Sequence, residues 1–167
     1  RALFGIWAPF SNADETAELV VEGQSMVVRA EAPSHMENMD EIRSGWTFRI
    51  KETQALQMDD FENPGMIFVD KGLDLWNKVE GSQNKSCASC HSDASEFEGL
   101  RTVMPRWNAS AKALWSMEDY INNCRTEQMG AEPLKWGKAP MDSLVAVISL
   151  QSRGMPMNVK INGEVEP

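Results

Sequence analysis

The sequence predicts a mainly α-helical domain, and three observations predict it. The first is the pentapeptide Cys87-Ala88-Ser89-Cys90-His91. The second is the stretch before it, where Ile67, Phe68, Leu73, Leu75, Trp76 and Val79 recur mostly three or four apart, the spacing of an amphipathic helix. The third lies near the end of the chain: Pro140 can open a helix, Met141, Leu144, Val145 and Ile148 give it an apolar face, and Gly154 with Pro156 stops it.

Two thiols three positions apart, with a histidine directly behind the second, form the arrangement that covalent attachment of a c-type haem requires. Cys87 and Cys90 sit one helical turn apart, so both reach the vinyl groups of one porphyrin, and the His91 imidazole is placed as proximal iron ligand. A structural zinc site needs about four Cys or His ligands. The chain offers three cysteines and two histidines, with His35 far upstream and no second pair of this kind. A thioredoxin-like dithiol follows a strand in a βαβ pattern, and none surrounds residue 87. The expected architecture is therefore a c-type cytochrome domain, with helices packed around one covalently attached haem c.

Length and composition bound the rest. A chain of 167 residues, 42% hydrophobic and 25% charged, fits one soluble-type domain with an arm. The 25 acidic against 16 basic residues leave a net charge of −9, which argues against nucleic acid or an anionic membrane surface and is compatible with a basic protein partner. No apolar run reaches the roughly 18 residues of a spanning helix. The start, apolar and ending in Ser11-Asn12-Ala13, reads as the remnant of an export signal, the alternative being an apolar arm. Thioether attachment of haem itself implies export in bacteria, so the expected location is the periplasm.

Taken in order, residues 1–13 are this signal remnant and 14–45 an extended arm or short hairpin, in which Val20-Val21 and Val27-Val28 flank a turn. Met36 to Ser44 reads at best as a short polar helix, and His35 as a surface histidine in a loop. The haem domain spans 46–157. It opens with a brief alternating strand at Trp46 to Ile50, a helix over Gln54 to Phe61, and a firm turn at Asn63-Pro64-Gly65. Residues 158–167 form a tail.

Between the two flanking helices, Ser116 caps a further one with acidic residues in its first turn. There Met117, Tyr120, Ile121 and Cys124 share a face at i, i+3, i+4 and i+7, so Cys124 points with the apolar residues. The distal iron ligand stays open between this odd cysteine and a methionine, for which Met104, Met129, Met141 and Met155 are candidates. A thiolate would hold the haem at low potential by stabilising the ferric state, and Arg125 beside Cys124 would favour that thiolate.

Several further stretches resemble SoxA, the larger subunit of the SoxAX cytochrome complex of periplasmic thiosulfate oxidation. They are Glu41 to Gly45, Glu52 to Met66, the Cys87 to His91 motif, Asn123-Cys124-Arg125-Thr126, Gly130-Ala131-Glu132-Pro133 and Ser152-Arg153-Gly154-Met155-Pro156. The resemblance runs from about residue 41 to 157. It implies a haem held by Cys87 and Cys90, with His91 and Cys124 as axial iron ligands. It also implies a SoxX-like small cytochrome as partner, and a SoxYZ-like carrier protein on whose cysteine the complex joins thiosulfate, an L-cysteine S-thiosulfotransferase activity. The family's diheme members carry a second haem domain with the modified cysteine of the thiosulfate site, and neither feature is in this sequence. The chain is expected to match the N-terminal haem domain, in an electron-transfer or supporting role, so no catalytic residue is assigned. The reading from a different class is a free monohaem electron carrier with His91 and a methionine on the iron.

Overall fold

The computed structural model describes residues 16–160 and Gly163. The segment read as a signal remnant lies outside the described residues, as does most of the tail. Two compact units divide at Asn63 and Pro64.

The first unit is built from two small hairpins and a helix. Strand β1 (Val20–Val21) pairs antiparallel with β2 (Gln24–Ser25), and β3 (Arg29–Glu31) with β4 (Glu41–Arg43) in the register Ala30 opposite Ile42. The hairpin expected near Val20-Val21 exists, but its turn is tighter than the sequence reading places it. Val27 is exposed, and Val28 instead leads into β3, its carbonyl accepting from the Ser44 N–H at 2.8 Å. That long-range pairing also overrides the polar helix expected over 36–44, because residues 41–43 find a strand partner twelve residues back.

The strand expected at Trp46 is a 3-10 turn, Gly45–Phe48, with the Ser44 hydroxyl accepting from the Trp46 N–H at 3.3 Å. Helix α1 spans Lys51–Met58, three residues earlier than read. Trp46 is buried against it: its indole N–H donates to the Gln54 carbonyl at 3.1 Å, and the Gln54 amide returns a bond to the Trp46 carbonyl at 3.3 Å. This exchange puts residues 46–58 in the first unit, whereas the sequence reading opens the second domain at 46.

The second unit holds the flanking helices. Helix α2 spans Met66–Asn77 and α4 spans Ala139–Leu150, with Pro140 in its first turn as expected. They pack face to face, and Val69, Trp76, Leu144, Val147 and Ile148 form the core with Met104 and Met117. The face of α2 that does this differs from the predicted one. Of the predicted residues Trp76 is buried and Leu75 partly so, but Ile67 and Leu73 are exposed, Val79 lies past the helix end, and Val69 and Gly72 take buried positions. Gly72 explains the shift: a Cβ there would lie 2.2 Å from the Ser143 carbonyl oxygen and 2.4 Å from Val147 Cγ2. The helices cross where no side chain intervenes, a position invisible to a count of large apolar residues.

Short 3-10 turns at Cys87–Ser89, Ala94–Phe97 and Leu100–Val103 follow α2. Then come the hairpin β5 (Arg106–Asn108) and β6 (Ala113–Trp115), to which the sequence reading assigns nothing, and α3 (Met117–Asn123). The Ser116 cap of α3 is present as predicted and reciprocated: the Ser116 N–H donates to the Asp119 carboxylate at 2.8 Å. Helix α3 runs directly into a π-helical turn, Cys124–Met129.

Candidate functional site

The pentapeptide and the π-helical turn are tied together by the loop between them in space. After α2 the chain reverses at Glu80–Lys85, where the Ser82 N–H donates to the Gly130 carbonyl at 3.1 Å and the Gln83 N–H to the Met129 carbonyl at 3.0 Å. Gly81 is required there, since φ is +73° and a Cβ would lie 2.1 Å from the Met129 carbonyl oxygen. The Glu80 carboxylate bonds Arg125 Nη1 at 2.8 Å, and Arg125 Nε donates to the Glu132 carbonyl at 3.1 Å. Arg125, 6% exposed, is thus a buried cation with a fixed set of acceptors.

The pentapeptide itself is a capped turn. The Ser86 N–H donates to Ser89 Oγ at 2.9 Å, and the His91 N–H to the Cys87 carbonyl at 2.9 Å, which winds both thiols and the imidazole onto one short element.

A cavity of about 360 Å³ opens beside it, a size typical of small-molecule sites. Cys87 and His91 contribute to its wall from the pentapeptide, Trp76 from α2, Leu144 and Ile148 from α4, and Met117, Tyr120, Ile121 and Cys124 from α3 and the turn after it. The cavity therefore gathers three of the four residues assigned from the sequence. The fourth, Cys90, is exposed. Of the methionine candidates, Met104 and Met129 line the cavity, as does Met117, which the sequence reading did not consider as a ligand. Met141 is buried outside the lining, Met155 is exposed, and His35 is exposed in the first unit.

Charge in the site follows burial. Burial pushes the Cys124 thiol up, with Cys90 adding to the rise and Arg125 and Lys85 opposing it. Arg125 acts in the direction expected from the sequence, lowering the thiol, but burial outweighs it. The Cys87 thiol is raised the same way, by burial first and then by Cys124. The two thiols of the pentapeptide and Cys124 are thus close enough to feel one another. Among the described residues no group of three or more His, Cys, Asp or Glu side chains is arranged to hold a bare metal ion.

The imidazole of His91 is fixed from several sides. Its ring lies 4.8 Å from that of Phe97 and 6.3 Å from that of Trp76, whose indole N–H donates to the His91 carbonyl at 3.3 Å. Nδ1 faces the Glu96 carboxylate at 3.4 Å. Also on the cavity wall, Arg106 lies over the Tyr120 ring at 4.8 Å and donates to its hydroxyl at 3.3 Å. Glu96 and Arg106 were not found from the sequence, because short turns and two-residue contacts leave no periodic signal. An apolar hollow walled by a thiol and an imidazole of the attachment motif, with a second thiol on another helix, fits a covalently bound porphyrin.

A family model described as the cytochrome c domain of SoxA/TsdA matches residues 71–157. The chain belongs to the SoxA/TsdA cytochrome c family. A cytochrome c domain implies covalently bound haem, so the haem reading of the pentapeptide agrees with the family. The resemblance to SoxA is borne out as well. The chain is 47% identical to the L-cysteine S-thiosulfotransferase subunit SoxA of Paracoccus pantotrophus, over 89% of this chain and 53% of that protein. It is 45% identical to the SoxA subunit of Rhodovulum sulfidophilum, with the same coverage. The crystal structure of SoxXA from P. pantotrophus superimposes with a TM-score of 0.84 at 43% identity, over 91% of this chain and 60% of that one. The chain thus spans about half the length of these SoxA relatives.

Proposed function

We propose that this chain is a haem domain of a SoxA subunit and carries single electrons within a SoxAX-type complex of periplasmic thiosulfate oxidation. In this reading Cys87 and Cys90 would hold one haem c covalently, and His91 and Cys124 would be the ligands of its iron. The observation that carries the reading is that Cys87, His91 and Cys124, from two separate elements, line one apolar cavity. The partners are a SoxX-like small cytochrome and a SoxYZ-like carrier protein, whose cysteine receives thiosulfate through the L-cysteine S-thiosulfotransferase activity named for the relatives. The haem supplies one-electron redox chemistry. The protein supplies the rest: Trp76, Phe97, Leu144 and Ile148 exclude water from the ring, and the Glu80–Arg125 pair anchors the turn that carries Cys124.

A second reading has a specific observation behind it, since Met104, Met117 and Met129 line the same cavity. That reading puts His91 and a methionine on the iron of a free electron carrier, which the likeness to SoxA does not favour. The two separate on the ferric protein and its Cys124→Ala variant. With Cys124 as ligand, the wild-type near-infrared spectrum lacks the methionine–iron charge-transfer band. The variant then becomes high-spin or gains potential, because an anionic sulfur no longer stabilises the ferric state. A methionine band in the wild type, with an unchanged C124A variant, overturns Cys124 ligation in favour of a methionine.

A further inference from the structure

Once its Nε2 is committed to iron, a histidine must carry its proton on Nδ1, and that N–H needs an acceptor which fixes the ring and sets how strongly the nitrogen donates. Glu96 supplies a carboxylate there, and a single turn places it. Asp93 caps the 3-10 turn Ala94–Phe97, its carboxylate accepting from the Ser95 N–H at 2.8 Å. The turn then delivers Phe97 against the His91 ring at 4.8 Å and Glu96 against its Nδ1 at 3.4 Å. The carboxylate is not free to swing away. Glu96 Oε1 accepts from both the Ser92 N–H at 2.9 Å and the Ser92 hydroxyl at 2.8 Å, which leaves Oε2 for the imidazole. Ser92 directly follows His91, so acceptor and ligand are referenced to the same stretch of backbone.

We infer that Glu96 is a positioning residue for His91, accepting the Nδ1 hydrogen bond and strengthening the imidazole as an iron donor. The inference rests on His91 being an iron ligand, as proposed above. A carboxylate acceptor gives the ring partial imidazolate character, which would favour the ferric state in the same direction as a thiolate donor from Cys124. Ser92 acts one step further out by holding the carboxylate in register.

The test uses the haem-loaded chain and its Glu96→Gln, Glu96→Ala and Ser92→Ala variants, with the midpoint potential and the ferric electron paramagnetic resonance g-values as readouts. E96A is expected to shift the ferric-to-ferrous ratio at a fixed donor potential about tenfold toward ferrous, equivalent to about 59 mV for one electron, and to change the g-anisotropy. E96Q keeps an acceptor without the charge and is expected to move the same way by less. S92A is expected to give a smaller shift of the same sign with Glu96 intact. A purely structural role would lower the melting temperature while leaving potential and g-values in place. Should E96A fail to mature, E96Q and S92A carry the measurement. Unchanged potentials in a histidine-ligated haem protein overturn the role of Glu96 and leave the proposed function standing. A wild-type spectrum without histidine ligation overturns both.

Discussion

At the scale of single residues, the pair Glu80 and Arg125 carries a burden out of proportion to its size. Arg125 is buried next to Cys124, and its guanidinium is held by the Glu80 carboxylate and the Glu132 carbonyl. Replacing the carboxylate by an amide leaves a buried cation facing neutral acceptors only. Glu80→Gln is therefore expected to cost about 1–2 kcal/mol, the lower part of the range for a charged hydrogen bond because Glu80 itself keeps contact with solvent. The same pair predicts a pH dependence. Hydrogen bonds from Lys78 first and Arg125 second hold the Glu80 carboxyl below its ordinary value of 4.5. A depressed folded-state value means that the unfolded chain binds the proton more readily. The contribution is present above the unfolded value and is lost as pH falls through the folded one. Urea midpoints between about pH 6 and pH 3 should fall less steeply in E80Q than in the wild type. Asp93 and Glu96 are lowered too, by Ser95 and Ser92 respectively, so a residual slope remains in the variant. An identical slope in both proteins would show that the Glu80 pair is silent.

At the scale of elements, the crossing of α2 and α4 brings Trp76 of one helix and Leu144 and Ile148 of the other into the cavity wall. Gly72→Ala is expected to destabilise the protein by about 1–2 kcal/mol. The added methyl meets a backbone carbonyl at 2.2 Å, which no rotamer change relieves, and overpacking of about 1–3 kcal/mol outweighs a helix-propensity gain below about 1 kcal/mol. A denaturant midpoint equal to or above that of the wild type would contradict this account of the crossing. The same crossing shows what the sequence discloses. The existence of α2, α3 and α4 was legible because their apolar residues repeat with the helical period, and the Ser116 cap was legible because its chemistry is local. The buried face of α2 was not, since Gly72 has no side chain to count. Nor were the strand at 41–43 and the turn at Trp46, whose conformations depend on β3 and on Gln54. In the site, the pentapeptide Cys87 to His91 stood out from spacing alone, and two of its residues, Cys87 and His91, line the cavity. Cys124 was readable as an inward position, because the period holds from Met117 to Asn123 and the π-helical turn begins only at Cys124. Glu96 was unreadable, as its partner is reached through a 3-10 turn.

At the scale of the whole molecule, the candidate site and the family match both fall in the second unit. Its core runs from Val69 to Ile148, the cavity wall from Trp76 to Ile148, and the family match from 71 to 157, all within the unit that begins at Pro64. The first unit has its own hydrogen-bonded elements, including the reciprocal bonds between Trp46 and Gln54. A chain beginning at Pro64 is therefore expected to acquire haem and to show the Soret and near-infrared spectra of the 167-residue chain, with a cooperative melting transition of its own. Exporting both chains with the same haem-attachment machinery and comparing haem content per polypeptide checks this. Equal content with matching spectra would locate the whole of the iron environment in residues 64–167. A shortened chain that is made but colourless, or whose iron changes its axial ligand, would show that the hairpins and α1 take part in building the site.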